Sequence, residues 1–195
     1  MSVILTAGKR GALTLFRASI QSGEPVIFPT DTIYGIGAPI TSIAANKRIY
    51  GIKKRPLDQP MPILIGNFEQ LSFLATGINS DAFAWLKNVW TTSNPERYTV
   101  VLKAVPWLDA FYTKNGAVAI RLAALTWLAE AIVSLGAPVT ATSVNFSGTP
   151  SLNNPNEIVD TFLPYCKYML WGEVGSKQAS AIVDLTNGNP KIVRA

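Results

Sequence analysis

Val118-Ala-Ile-Arg-Leu122, then Leu125-Thr-Trp-Leu-Ala-Glu-Ala-Ile-Val-Ser-Leu135, then Pro138-Val-Thr-Ala-Thr142 follow one another almost without interruption. The first segment has the length and aliphatic content of a strand. In the second, Leu125, Leu128, Ile132 and Leu135 recur at helical spacing, and Gly136 marks a stop. The third reads as a short strand. A strand, a helix and a strand in succession predict an α/β fold.

Working outward, the alternation continues. Leu13, Phe16 and Ile20 share one face of a helix over about residues 10–21, which Ser22-Gly23 stops before a strand from Pro25 to Thr30. Ala45, Ile49 and Ile52 face inward from a helix at about 42–53, which leads to a strand from Met61 to Ile65. Phe83, Leu86 and Trp90 follow the capping residues Asn79 and Ser80, and Tyr98 to Val105 reads as a strand. A helix near 154–163 and a hairpin complete the chain. The hairpin joins Ala181–Leu185 to Lys191–Arg194 across Thr186-Asn-Gly-Asn, a strong turn signal. That hairpin requires an antiparallel pair, so the expectation is a twisted mixed parallel and antiparallel sheet flanked by helices.

With 195 residues and neither repeat nor linker, the chain is expected to be a single domain spanning 1–195. Apolar residues make up 48% and charged residues 15%, enough for a core and incompatible with disorder over the bulk of the chain. The richest apolar run, Leu122 to Ala129, is eight residues long, against the roughly twenty needed to span a bilayer. The amino terminus has the reverse of a secretory signal's order, so a cytoplasmic protein without membrane attachment is expected. The lone Cys166 cannot form an intramolecular disulfide and reads as a buried small hydrophobe.

The sequence has no histidine. With one cysteine, that excludes a structural zinc site, a His-Glu-x-x-His metalloprotease helix and a Ser-His-Asp triad. The inventory that remains favours positioning and charge stabilisation over proton relays. A net charge of +5 suggests an anionic partner: nucleotide, RNA or acidic protein. Lys47, Arg48, Lys53, Lys54 and Arg55 place five of the 17 basic residues within nine positions.

Three polar clusters fall at strand ends, where ligands gather in such folds. In Lys53-Lys-Arg-Pro56 the proline favours extended backbone at Arg55, so a period of two would set Lys53 and Arg55 on one side as a cationic claw for phosphate oxygens. The same period sets Ser143, Asn145 and Ser147 together in Thr142-Ser-Val-Asn-Phe-Ser-Gly148, either as hydrogen-bonding partners for a base or phosphate ester or as a capped turn. In Thr30-Asp-Thr-Ile-Tyr-Gly-Ile-Gly37 the glycines permit close backbone approach and the hydroxyls suit a small polar ligand, although neither a dinucleotide fingerprint nor a Walker sequence is present. Arg121 interrupts an apolar strand and requires a partner, protein or ligand.

In order along the chain, these segments resemble the YrdC-like family of threonylcarbamoyl-AMP synthases in its compact, TsaC-type form. The resemblance is carried by Phe28-Pro-Thr-Asp-Thr-Ile-Tyr-Gly35, Ile49-Tyr-Gly-Ile-Lys-Lys-Arg-Pro56, Ala141-Thr-Ser-Val-Asn-Phe-Ser-Gly148, Ser180-Ala-Ile-Val-Asp-Leu185 and Lys191-Ile-Val-Arg194. It implies a mixed sheet around a basic cavity. It also implies condensation of L-threonine, bicarbonate and ATP, with Mg²⁺ accompanying the nucleotide, to threonylcarbamoyl-AMP and pyrophosphate. By the same resemblance, Lys53, Arg55, Gln59, Ser143, Asn145 and Arg194 would serve ATP, with Lys53, Arg55, Ser143 and Asn145 as the catalytic set. Thr32, Arg121 and Ser180 would hold threonine. The product would feed the threonylcarbamoyladenosine modification of tRNA through downstream transferase proteins, with tRNA itself a further candidate partner.

The chain departs from the family pattern in places. Leu64 stands where many members have histidine, Ala117 where they have threonine, Gln59 where asparagine is common, and Ser93-Asn-Pro-Glu-Arg-Tyr98 replaces a Trp-Pro-Gly-Pro segment. The sequence ends directly after the arginine strand, as the compact members do. Two other readings stand beside the enzyme: a non-catalytic module binding tRNA or double-stranded RNA, and a paralogue making a related carbamoyl adenylate, for which Leu64 and Ala117 are the motivating changes.

Overall fold

A computed structural model describes residues 2–91 and 97–194. In chain order the first half carries β1 (Val3–Thr6), α1 (Lys9–Ser22), β2 (Val26–Pro29), β3 (Tyr34–Gly37), α2 (Ile43–Lys53), β4 (Ile63–Ile65) and α3 (Ser80–Thr91). The second half carries β5 (Tyr98–Lys103), β6 (Ala117–Leu122), α4 (Thr126–Leu135), β7 (Val139–Thr140), β8 (Thr142–Ser143), α5 (Pro155–Phe162), β9 (Tyr168–Trp171), β10 (Ala181–Asp184) and β11 (Lys191–Arg194).

The described residues form two mixed sheets rather than the one expected. The first runs β1-β9-β2-β3-β8 and the second β11-β10-β5-β6-β4-β7. The expected hairpin is present, with β10 antiparallel to β11 and, on its other side, parallel to β5. The strand read at Pro138–Thr142 breaks at Ala141, so the chain leaves the second sheet and enters the first within one residue. Gly37 makes that seam possible: a Cβ there would lie 1.7 Å from the Thr140 carbonyl oxygen. The glycine therefore admits the protein's own backbone, not a ligand. Across the seam the Thr140 amide donates to the Ala38 carbonyl at 2.8 Å, and the Thr140 hydroxyl donates to Asn46 Oδ1 at 2.5 Å.

Period-two alternation divides the second sheet into two faces. Ile63, Ile65, Val100, Leu102, Val118 and Ile120 are buried with Ala82 and Leu86 of α3 in one core cluster. Leu64, Thr99, Val101, Ala119 and Arg121, the alternate residues, line a cavity instead. Phe16 of α1 meets Phe28 of β2 edge-on, with ring centroids 5.4 Å apart, in a second cluster completed by α4. Cys166 is buried, as its composition suggested, and burial pushes its thiol up to about 12. Among the described residues no helix is long and apolar enough to cross a membrane.

Candidate active site

The cavity, about 380 Å³, lies between the alternate face of the second sheet and the segments Thr30–Gly35 and Thr142–Ser143 of the first. It therefore opens on a sheet face rather than at the carboxyl ends of the strands. Thr32, Arg55, Arg121, Ser143, Ser180 and Arg194 all line it, whereas Lys53, Gln59 and Asn145 do not. A further cavity of about 570 Å³, bordered by Lys103, Lys114 and Asp184, shares the walls Pro60, Val101 and Ala119. Of the described residues lining the first cavity none is acidic, and three are arginines. A polyanion is the ligand such a wall suits, with hydroxyls supplying neutral hydrogen bonds.

Arg121 owes its position to β6, where Val118 and Ile120 turn into the core and Ala119 and Arg121 turn the other way. Its Nη2 donates to Asp31 Oδ2 at 2.5 Å and its Nη1 to the Thr32 hydroxyl at 2.9 Å. The same Asp31 oxygen receives Arg97 Nε at 2.8 Å, so one carboxylate serves two guanidiniums. Burial pulls the Arg121 pKa down, and the Asp31 charge pushes it back. Nothing in the Thr30–Gly37 segment singles out Asp31 by itself, because the arginines Arg97 and Arg121 that it serves lie far along the chain.

The claw takes a different form from the extended one expected. Lys53 is the last residue of α2, and Lys54 adopts left-handed backbone with φ 52° and ψ 40°. The Arg55 amide then donates back to the Tyr50 carbonyl at 2.9 Å, closing the helix end. Because a helix end and a left-handed residue replace extended chain, Lys53 and Arg55 go to different places. Arg55 reaches the cavity wall, where Nε donates to the Gln59 carbonyl at 2.8 Å and Nη2 to the Pro60 carbonyl at 3.1 Å. Gln59 thus holds Arg55 through its backbone. Lys53 is 1% exposed, and its Nζ donates to the Ser143 carbonyl at 2.5 Å and to both Asn145 oxygens, backbone and side chain, at 2.8 Å. Burial, helped by the Arg55 charge, pulls the Lys53 pKa down to about 7.

On the Ser143 side, the hydroxyl donates to Asn145 Oδ1 at 2.5 Å, and Asn145 Nδ2 donates to the Thr149 carbonyl at 2.6 Å. Ser147, grouped with these two by period, instead sends its amide to the Lys53 carbonyl at 2.8 Å. At the opposite wall Ser180 Oγ and Thr99 Oγ1 are 2.7 Å apart, and Arg194 Nη2 donates to the Ser180 carbonyl at 2.8 Å. The loop before Ser180 is strapped to the Thr30–Thr32 turn by three successive amides: Gly175 to Thr30, Ser176 to Asp31 and Lys177 to Thr32, at 3.1, 3.2 and 2.8 Å.

Sequence reasoning missed most of the apolar wall. Val101, Ala119 and Ile182 carry no chemical signature, and only knowledge of which sheet face is covered could have separated them from core. Of the departures from the family pattern, Leu64 lines this cavity beside Arg121, its cross-strand neighbour, and Ala117 borders the further one. Of the Ser93–Tyr98 segment, residues 93–96 lie outside the described residues.

Comparison with known proteins places this geometry. Residues 18–195 match the Sua5/YciO/YrdC family model, described as "Telomere recombination". The chain is 33% identical over 177 residues to a threonylcarbamoyl-AMP synthase of Pyrococcus abyssi, covering 90% of this chain and 51% of that protein. It is 35% identical over 138 residues to a Bacillus subtilis protein of the same name, covering 69% of this chain and 38% of the relative. The chain therefore spans about half the length, or less, of these two relatives. The structure of P. abyssi Sua5 complexed with L-threonine superposes with a TM-score of 0.86 at 29% identity, covering 99% of this chain and 57% of that one. Escherichia coli YciO shares the fold over 100% of this chain and 95% of its own, with a TM-score of 0.83 at 23% identity. With the family model covering nearly the whole sequence and the motif arginines and hydroxyls gathered on one cavity, this chain belongs to the Sua5/YciO/YrdC family.

Proposed function

We propose that the protein is an L-threonylcarbamoyladenylate synthase, a nucleotidyltransferase that makes threonylcarbamoyl-AMP and pyrophosphate from L-threonine, bicarbonate and ATP. The observation that carries this reading is the cavity itself: Arg55, Arg121 and Arg194 converge with the Thr32, Ser143 and Ser180 residues on a wall whose described residues include no acidic side chain. Kinship with proteins named threonylcarbamoyl-AMP synthase, and the likeness to a relative crystallised with L-threonine, support it.

In this reading the threonine carboxylate sits on Arg121, already oriented by Asp31 and Thr32, while Thr32 and Ser180 complete the amino-acid pocket. The threonine amine and bicarbonate give a carbamate with loss of water. A carbamate oxygen then forms a bond to the α-phosphorus as the bond from that phosphorus to the bridging oxygen breaks, and pyrophosphate leaves with both electrons. Two anions must meet in line, so the protein's contribution is to offset their repulsion and the charge on the leaving group. Arg55 and Arg194 take that part, while the Ser143 hydroxyl, whose proton goes to Asn145 Oδ1, offers its oxygen to the nucleotide as a neutral acceptor. Mg²⁺ would accompany the nucleotide as Mg·ATP and would offset charge on its phosphates. The product supplies the threonylcarbamoyl group for tRNA modification by downstream transferase proteins, a cytoplasmic process in which tRNA is a further candidate partner.

The test is pyrophosphate release by the purified protein with Mg·ATP. Release that requires both L-threonine and bicarbonate supports the synthase. Release indifferent to threonine points to a related carbamoyl adenylate, and salt-sensitive RNA binding without turnover points to the binding module.

A further inference from the structure

We infer that Lys53 is a positioning residue, which fixes the Ser143–Asn145 segment from behind the cavity and makes no direct contact with the nucleotide. The inference rests on the synthase reading and sharpens it, because that reading makes Lys53 half of a phosphate claw.

The geometry of the ammonium carries it. A protonated lysine Nζ has three hydrogens to donate. Around Lys53 Nζ stand three acceptors within 2.8 Å: the Ser143 carbonyl, the Asn145 carbonyl and Asn145 Oδ1. Every donor is spent, and a phosphate oxygen could be served only by releasing one of them. The side chain is 1% exposed and forms no part of the cavity wall. The main chain of the same residue makes the lock two-sided, since its carbonyl accepts the Ser147 amide at 2.8 Å. Lys53 therefore grips residues 143, 145 and 147 together. Asn145 Oδ1, held by Lys53, in turn accepts the Ser143 hydroxyl, which fixes the orientation of the one residue of this trio that lines the cavity. The positive charge arrives at the back of a strand whose front faces the ligand, and Arg55 alone of the pair stands on the wall.

A residue that touches phosphate and one that positions a neighbour differ in a measurable way. Loss of a phosphate contact lowers affinity for ATP more than for AMP, whereas loss of positioning weakens both alike. The experiment titrates Mg·ATP and AMP into the full chain by calorimetry, for the wild type, Lys53→Met and Arg55→Ala, and follows pyrophosphate release. Lys53→Met keeps the aliphatic stem and removes the ammonium. It is expected to leave the ratio of the two affinities within about threefold of wild type while lowering kcat about tenfold or more; Arg55→Ala is expected to cut the ratio about tenfold. Thermal melting checks that each variant folds. Should Lys53→Met fail to fold, Asn145→Ala opens the same lock from its other side and is expected to show the same unchanged ratio. A ratio that collapses in Lys53→Met, or in Asn145→Ala as its substitute, as far as in Arg55→Ala overturns the inference, as does a Lys53→Met enzyme with unaltered kcat. A wild-type protein that binds neither nucleotide removes the synthase reading and this inference together.

Discussion

Replacing Asp31 by asparagine would remove the carboxylate that Arg121 and Arg97 share while keeping its shape. Asp31 is 8% exposed, and one of its oxygens receives Arg121 Nη2 at 2.5 Å and Arg97 Nε at 2.8 Å. Removing one partner of a buried ion pair leaves the other charge uncompensated and costs about 3–5 kcal/mol. Arg97 is partly exposed, so water screens its share, and an amide oxygen still accepts one hydrogen bond. The low end, about 3 kcal/mol, is therefore the expected loss. In a domain of this size each kcal/mol moves the melting temperature by about 2–4 °C, so Asp31→Asn should melt about 6–12 °C below wild type. Thermal melts by circular dichroism, with and without saturating L-threonine, read the effect. A bound carboxylate resupplies the missing anion, so threonine should raise the melting temperature of the variant more than that of the wild type. A drop below about 2 °C would show that Arg121 does not depend on Asp31. Equal threonine shifts in the two proteins would separate Arg121 from the substrate carboxylate.

Gly175→Ala should loosen the strap over the cavity, since a Cβ there would lie 1.9 Å from the Asp31 carbonyl oxygen. A loss of about 1–3 kcal/mol in melts, with a larger rise in KM for threonine than for ATP, is expected. Stability should also climb with pH above neutrality. The unfolded chain holds the Lys53 proton up to about 10.5 while the native chain releases it near 7, so the unfolded state binds more protons and the slope is positive, at most about 1.4 kcal/mol per pH unit. From pH 9 upward Cys166 acts in the opposite sense, because its buried thiol keeps a proton up to about 12 that the unfolded chain has lost. Urea unfolding at half-unit steps from pH 6.5 to 10 should therefore show a rise to about pH 9 and then a plateau, and Lys53→Met should lack the rise.

How far the sequence could be read followed from where each signal resides. The amphipathic helices and the closing hairpin are local: Leu125, Leu128, Ile132 and Leu135 mark α4, and Asn187-Gly188 turns between β10 and β11. The strands β1 and β9 escaped because each is four residues long and is defined by pairing in parallel with the other across more than 160 positions. β3 escaped because its glycines, of which Gly37 is needed for the seam at Thr140, resembled a ligand loop. At the site, Arg121 was conspicuous as a charge within an apolar strand, and Arg55 as part of a basic run before proline. Lys53 was equally conspicuous, but where its side chain goes depends on a left-handed residue at Lys54 and on carbonyls ninety residues away. Asp31 needed knowledge of two distant arginines, and the walls Val101, Ala119 and Ile182 needed knowledge of which sheet face is covered.

The most direct measurement is mass spectrometry of the reaction itself. Purified protein is incubated with Mg·ATP, L-threonine and ¹³C-labelled bicarbonate, and the nucleotide products are analysed. A threonylcarbamoyl adenylate carrying the label, absent when threonine is omitted and lost in Arg55→Ala, is the expected result. Intact ATP beside unlabelled threonine, from a protein that melts cooperatively and binds the nucleotide, would contradict the synthase assignment.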